Sequence, residues 1–88
     1  MARGIYTGPF IDDVAGLPES IAEEVRVKCE SAENFPGVGS SLIEPSLRHT
    51  YGNTCLKLLV PGYEVLYERV DAEDVIVFLG VIPQRTLR

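Results

Sequence analysis

The chain has 88 residues, of which 45% are hydrophobic and 24% charged, and its formal charge is -5. This length fits one small domain, residues 1–88, and excludes large multi-domain enzymes. Net acidity is unfavourable for nucleic-acid binding, because such binding draws on Lys and Arg. The acidity is uneven, however: residues 1–44 hold three basic and eight acidic residues, whereas residues 45–88 hold five of each. Any surface that faces nucleic acid is therefore expected in the second half.

The sequence carries little that would hold a metal or enter a membrane. Cys29, Cys55 and the single His49 are too few for a zinc site, and no motif calls for another cofactor. The N-terminus lacks the apolar run of a signal peptide, and no segment reaches the roughly 20 apolar residues of a membrane span. We therefore expect a cytoplasmic protein with no metal, no cofactor and no membrane contact.

Two helices are predicted in the first half, after a short extended segment at 4–7. Phe10 and Val14 have helical spacing, and this pattern predicts a first helix at about 9–15 that ends at Gly16. Pro18 then opens a second helix with a long apolar stripe, and the helix should stop near Asn34 because Pro36 follows. The stripe consists of Ile21, Val25, Cys29 and Ala32.

Three strands are predicted in the second half, after an ordered connection at 37–53. Apolar and polar residues alternate over 54–60 and 63–70, with Pro61 and Gly62 as the turn between them. Lys57 and Glu64 fall on the less apolar face, where they are expected to form a cross-strand ion pair. The apolar run 75–79 predicts a buried last strand, and Pro83 is expected to prevent its continuation.

These elements predict an α+β domain: a short N-terminal strand, two helices, then a three-stranded antiparallel meander, with the helices on one side of the sheet. This order resembles the RelE/ParE superfamily, the toxins of bacterial type II toxin–antitoxin pairs. Three stretches of the sequence carry the resemblance. They are Leu-Pro-Glu-Ser-Ile-Ala at 17–22, Gly-Tyr-Glu-Val-Leu-Tyr-Glu at 62–68, and Val-Ile-Val-Phe-Leu-Gly-Val-Ile-Pro-Gln-Arg at 75–85.

The RelE branch of this superfamily implies a ribosome-dependent endoribonuclease that cleaves mRNA without a metal. A ribose 2′-hydroxyl attacks the adjacent phosphate, which requires a proton acceptor and positive charge near the developing oxyanion. The resemblance assigns catalytic roles to Lys57 and Arg85, and the alternative for Arg85 is a solvated residue of the C-terminal tail. His49 is a candidate general base because imidazole titrates near neutrality, and the alternative is a hydrogen-bonded loop residue. The candidate binding residues are Arg48, Glu64, Tyr67 and Arg88.

One position departs from the nuclease pattern, because Glu64 stands where the RelE branch commonly has an arginine. A carboxylate there repels phosphate, so enzymatic activity stays an open question. The ParE branch instead binds DNA gyrase, which a carboxylate does not contradict. A third alternative is a non-catalytic interaction module on the same scaffold. For a toxin, the implied role is plasmid stabilisation, and the implied partner is a cognate antitoxin that covers the sheet or adds to its edge.

Overall fold

The computed structural model describes residues 2–41, 50 and 54–84. It confirms the α+β prediction and the predicted order of elements. The elements are β1 (Arg3–Tyr6), α1 (Gly8–Ala15), α2 (Glu19–Asn34), β2 (Cys55–Val60), β3 (Tyr63–Val70), a short 3-10 helix (Asp71–Glu73) and β4 (Val75–Pro83).

The four strands form one mixed sheet in the order β1-β4-β3-β2. Strands β2, β3 and β4 make the expected antiparallel meander. Strand β1 pairs with β4 in parallel, with Ile5 opposite Val77. A parallel pair needs a long crossover connection, and α1, α2 and the first two meander strands all lie between β1 and β4 in the chain. The first strand is therefore held by the last one.

Helix α1 is anchored to the sheet at its first turn. The Thr7 hydroxyl accepts a hydrogen bond from the Phe10 amide (3.3 Å) and donates one to the Phe78 carbonyl oxygen (2.8 Å). Thr7 thus satisfies one of the free amides at the helix N-terminus, where Pro9 also fits. The same side chain ties α1 to β4.

The core lies between the two helices and one face of the sheet. Helix α2 buries Val25, Cys29 and Ala32 of the predicted stripe in this layer. At its centre the fully buried Phe78 ring is surrounded by three other aromatic rings. Their centroids lie 4.8 Å (Tyr6), 5.5 Å (Phe10) and 5.8 Å (Tyr67) from that of Phe78.

Strand β4 continues beyond its predicted end and includes Pro83, so the expectation that Pro83 stops the pairing is wrong. The Gln84 amide donates to the Gly62 carbonyl oxygen at 2.9 Å, so these two residues form a hydrogen-bonded pair. Pairs alternate along an antiparallel ladder, and Pro83 opposite Tyr63 occupies the position that needs no amide proton toward β3. The proline therefore fits at the strand end.

A bulge in β4 also changes the register beside α1. Leu66 lies opposite Gly80 and Tyr67 lies opposite Phe78, which leaves Leu79 as an extra residue. Beyond Phe78 no β1 residue is paired with β4. The Val81 amide on that side donates instead to the Asp13 carboxylate of α1, at 2.9 Å.

The segment that follows α2 is held against the sheet by Tyr67. The Gly39 amide donates to the Tyr67 hydroxyl oxygen (2.9 Å), and that hydroxyl donates to the Pro36 carbonyl oxygen (2.8 Å). Ser40 and Lys57 then exchange two backbone hydrogen bonds of 2.9 Å, so the segment forms an isolated bridge on the outer edge of β2.

The Val81–Asp13 bond predicts that Asp13→Ala destabilises the protein by about 1–2 kcal/mol, because a part-buried amide loses its acceptor. Asp12→Ala is the matched control, since it removes the same charge from an exposed neighbouring position and should change stability by about 0.5 kcal/mol or less. Urea unfolding followed by circular dichroism measures both. Equal losses in the two variants would show that the bond to Val81 contributes nothing.

The Tyr67 contact predicts that Gly39→Ala costs about 1–3 kcal/mol. An added Cβ would lie 2.6 Å from the Tyr67 hydroxyl oxygen and 3.0 Å from the Lys57 carbonyl oxygen, both of which are fixed. At Gly8 an added Cβ meets nothing within 4 Å, so Gly8→Ala should leave the melting temperature unchanged or raise it. Thermal unfolding of the two variants tests the difference, and an unshifted melting temperature for Gly39→Ala would contradict it.

Candidate functional site

Lys57 of β2 and Glu64 of β3 lie together on the sheet face that points away from the helices. Lys57 pairs with Leu66 and Glu64 pairs with Leu59, so the two charged residues are diagonal neighbours across the hairpin. Their Nζ and Oε2 atoms are 3.9 Å apart, and the side chains are 20% and 13% exposed. The expected cross-strand ion pair is therefore present, and it is largely shielded from solvent.

The turn between β2 and β3 produces this juxtaposition. Gly62 has φ of 81°, a value that a glycine adopts without strain and that a type II turn requires at its third residue. Pro61 supplies the restricted φ of the preceding position. The turn fixes Val60 opposite Tyr63, and this register determines which side chains meet further along the strands.

Apolar side chains surround the ion pair on this face. Leu66 is fully buried and packs with Cys55, and the partly buried Leu79 and Ile82 pack against these two. Burial raises the pKa of the Cys55 thiol, whose Sγ is 3.6 Å from the Leu56 carbonyl oxygen. A buried thiol with a raised pKa is a poor nucleophile, so Cys55 acts here as an apolar residue.

Carboxylates outnumber cations on the β2–β3 part of this face. Glu68 is the second carboxylate, and it lies opposite Cys55 and accepts a hydrogen bond from the Thr54 hydroxyl (2.7 Å). Among the described side chains of β2 and β3 on this face, Lys57 is the one cation beside two carboxylates. The β2–β3 part of the face therefore has little positive potential of its own.

Tyr67 lies on the opposite face of the sheet from Lys57. Its side chain is fully buried, burial raises the pKa of its hydroxyl, and both of its hydrogen bonds go to the segment after α2. The hydroxyl is used inside the protein, so this geometry gives no support to the binding role expected for Tyr67. Its role here is to position Gly39 and the Ser40 bridge.

Four of the candidate residues, Arg48, His49, Arg85 and Arg88, lie outside the described residues. The catalytic roles expected for Arg85 and His49 and the binding roles expected for Arg48 and Arg88 stay predictions. The observed site thus consists of Lys57 and Glu64.

The sequence pattern missed one feature beside Lys57. A cavity of about 260 Å³ lies next to the Ser40 bridge, and Lys28 of α2 and Lys57 of β2 both line it. The sequence offers no signal for this arrangement, because it depends on how α2 crosses the edge strand. In residues 2–41, 50 and 54–84 no group of three His, Cys, Asp or Glu side chains could hold a metal ion. No helix of the same residues is long and apolar enough to cross a membrane.

Comparisons with known proteins agree with this architecture. No protein-family model matches the chain, and no curated protein sequence matches it. Solved structures do match, among them the isolated Escherichia coli RelE toxin, with a TM-score of 0.77 and 14% identity over 99% of this chain and 88% of that one.

Two antitoxin complexes show the same similarity in other organisms. The Mycobacterium tuberculosis RelBE2 toxin–antitoxin complex gives a TM-score of 0.76 with 20% identity, covering 94% of this chain and 98% of that one. The archaeal RelE–RelB complex of Pyrococcus horikoshii gives 0.68 with 15% identity, covering 98% of each chain. The chain therefore has the fold of the RelE toxins, as its sequence predicts.

Proposed function

We propose that the chain is the toxin of a type II toxin–antitoxin pair and that it arrests growth by cleaving mRNA on the ribosome. The observation that carries this proposal is the likeness to RelE toxins over nearly the whole chain. The matched Mycobacterium tuberculosis and Pyrococcus horikoshii structures are complexes of a toxin with its antitoxin, which supports a cognate antitoxin as the partner here. Ribosome, mRNA and antitoxin are therefore the proposed partners, and the cytoplasm is the proposed compartment.

In the proposed reaction Lys57 supplies positive charge to the phosphate under attack. Its ammonium is fixed by the rigid hairpin and lies in a part-buried, largely apolar setting, where a charge acts more strongly than in water. Glu64 holds the ammonium in place and also reduces its field. Arg85 is proposed to stabilise the oxyanion, and His49 is proposed to accept the proton of the 2′-hydroxyl. As the bond from the 2′-oxygen to phosphorus forms, the bond from phosphorus to the 5′-oxygen of the next nucleotide breaks, and that leaving oxygen takes a proton from water.

A second candidate function is a non-catalytic interaction module, and the Lys57–Glu64 pair favours it. The Glu64 carboxylate, 3.9 Å from the Lys57 ammonium, offsets its positive charge, so Lys57 attracts phosphate less than an unpaired lysine would. Glu68 adds further negative charge on the same face. Gyrase binding, the other mechanism by which a toxin of this fold could arrest growth, likewise needs a protein-binding surface and no nuclease residues.

Expression of the chain alone is expected to arrest bacterial growth, and co-expression of the small protein encoded beside it is expected to restore growth. A purified ribosome assay should then show mRNA cleavage, whereas a supercoiling assay should show no gyrase inhibition. Growth without arrest would contradict the toxin proposal. Arrest with gyrase inhibition and intact mRNA would contradict the nuclease mechanism alone.

Lys57→Ala is expected to lower ribosome-dependent cleavage roughly 100-fold, because one preorganised charge near an oxyanion contributes on that scale. Arg26→Ala is the matched control, since it removes an exposed cation from α2 on the opposite side of the sheet from Lys57, and its cleavage rate should stay within about twofold of that of the unmodified chain. Arg85→Ala should behave like Lys57→Ala. Cleavage that survives both substitutions would show that the assigned site is wrong.

The Glu64→Arg variant distinguishes the proposal of a catalytic toxin from that of a non-catalytic interaction module. If the unmodified chain does not cleave mRNA but Glu64→Arg gains affinity for RNA in a filter-binding assay, the sheet face is a nuclease site that has lost its charge. That result would favour the interaction module over the catalytic toxin.

A further inference from the structure

A cavity of about 300 Å³ opens between the two helices and β1, on the side of the sheet opposite Lys57. Its inner wall is apolar and comes from both helices: Phe10, Val14, Ala22, Val25 and Cys29. We call this feature the α-hairpin groove. Its volume is at the lower limit of small-molecule sites, which run from about 300 to 1,000 Å³, so its size suits a single large side chain.

The outer rim of the groove is acidic. Tyr6, Arg26, Glu30 and Glu33 line it, and the Tyr6 hydroxyl donates to the Glu33 carboxylate at 2.8 Å. The Arg26 guanidinium is bound by Glu23 and by Glu30, the latter at 2.9 Å. Two carboxylates therefore share one guanidinium, Glu33 is a third carboxylate without a cation bound to it, and the rim keeps a net negative charge.

The surface around the α-hairpin groove is also acidic. Residues 2–41, which include both helices, contain seven acidic and three basic residues. Phosphate-bearing ligands and anionic lipid surfaces are repelled from such a surface. A second copy of this chain would bring the same acidic rim, so like charges also oppose self-association through the groove.

We propose that the α-hairpin groove binds a short basic segment of a partner protein, which places one apolar side chain in the cavity and Lys or Arg residues against Glu30 and Glu33. An apolar anchor in a preformed pocket, ringed by complementary charge, is the arrangement that gives protein interfaces their affinity and their specificity. This inference goes beyond the proposed function, because it requires neither toxicity nor cleavage. The groove and Lys57 lie on opposite faces, so a bound segment leaves the candidate site uncovered.

Selection of a random-peptide display library on the purified chain tests the proposal. The enriched peptides are expected to share one Leu, Ile, Met or Phe flanked by Lys or Arg. Their affinity, measured by fluorescence polarisation of labelled peptides, should fall at least tenfold between 0.05 and 0.5 M NaCl, because exposed charges are screened by salt. Enrichment of acidic or purely apolar peptides, or of none, would overturn the proposal.

Two pairs of variants locate the binding. Ala22→Leu narrows the cavity and should weaken binding at least tenfold, whereas Val27→Leu, at an exposed α2 position outside the lining, should leave it unchanged. Glu30→Lys should weaken binding about fivefold by reversing a rim charge, whereas Glu24→Lys should have a smaller effect.

Circular dichroism shows whether Ala22→Leu folds. If it does not fold, the comparison of Glu30→Lys with Glu24→Lys still tests the proposal. Selected peptides that bind all four variants equally would contradict the groove as the site. Growth arrest and mRNA cleavage are measured independently, so either proposal can fail while the other stands.

Discussion

The packing of Tyr6, Phe10 and Tyr67 around Phe78 joins β1, α1, β3 and β4 at one point. The backbone of Phe78 takes part as well, because its carbonyl oxygen accepts hydrogen bonds from both the amide and the hydroxyl of Thr7. One residue thereby fixes the parallel pairing of β1 and the start of α1. The position of α1 in turn brings Asp13 to Val81 and forms one wall of the α-hairpin groove. Tyr67, on the neighbouring strand, extends the same cluster to the segment that reaches the edge of β2.

The two faces of the sheet carry different chemical groups. The helix-covered face carries the large core and the acidic groove beside it. The other face carries the small apolar cluster of Leu66 and Cys55 and the Lys57–Glu64 ion pair. A nuclease needs an excess of positive charge at such a place, and the described side chains of β2 and β3 do not supply it. The proposal therefore also depends on cations outside β2 and β3, and among these the resemblance gives Arg85 the same weight as Lys57.

Much of the fold could be predicted from local patterns. The spacing of Val25, Cys29 and Ala32 identified the buried side of α2, and strand alternation placed Lys57 and Glu64 on one face. The features that could not be predicted depend on contacts between residues far apart in the sequence. Nothing near β1 in the sequence shows that its partner is β4. The sequence also predicts too early an end for β4, because a proline usually interrupts a β-ladder, whereas Pro83 lies opposite Tyr63 at a position that needs no amide proton. The short motif around Tyr67 does not show which face its side chain takes, whereas the register with β2 and its full burial place Tyr67 in the core. The Ser40 bridge had no sequence signal, because it depends on the geometry of the folded edge.

The end of β4 has a consequence for solubility. Its sequence, Val-Ile-Val-Phe-Leu-Gly-Val-Ile-Pro, is an apolar β-forming stretch of the kind that seeds aggregation when its edge is free. Beyond the last β1 contact, the Val81 amide is already bonded to Asp13, and Pro83 has no amide proton. A second chain that approached this edge would find two successive outward positions without a donor. A single carboxylate on a short helix and a single proline thus protect this end of β4 against intermolecular β-pairing.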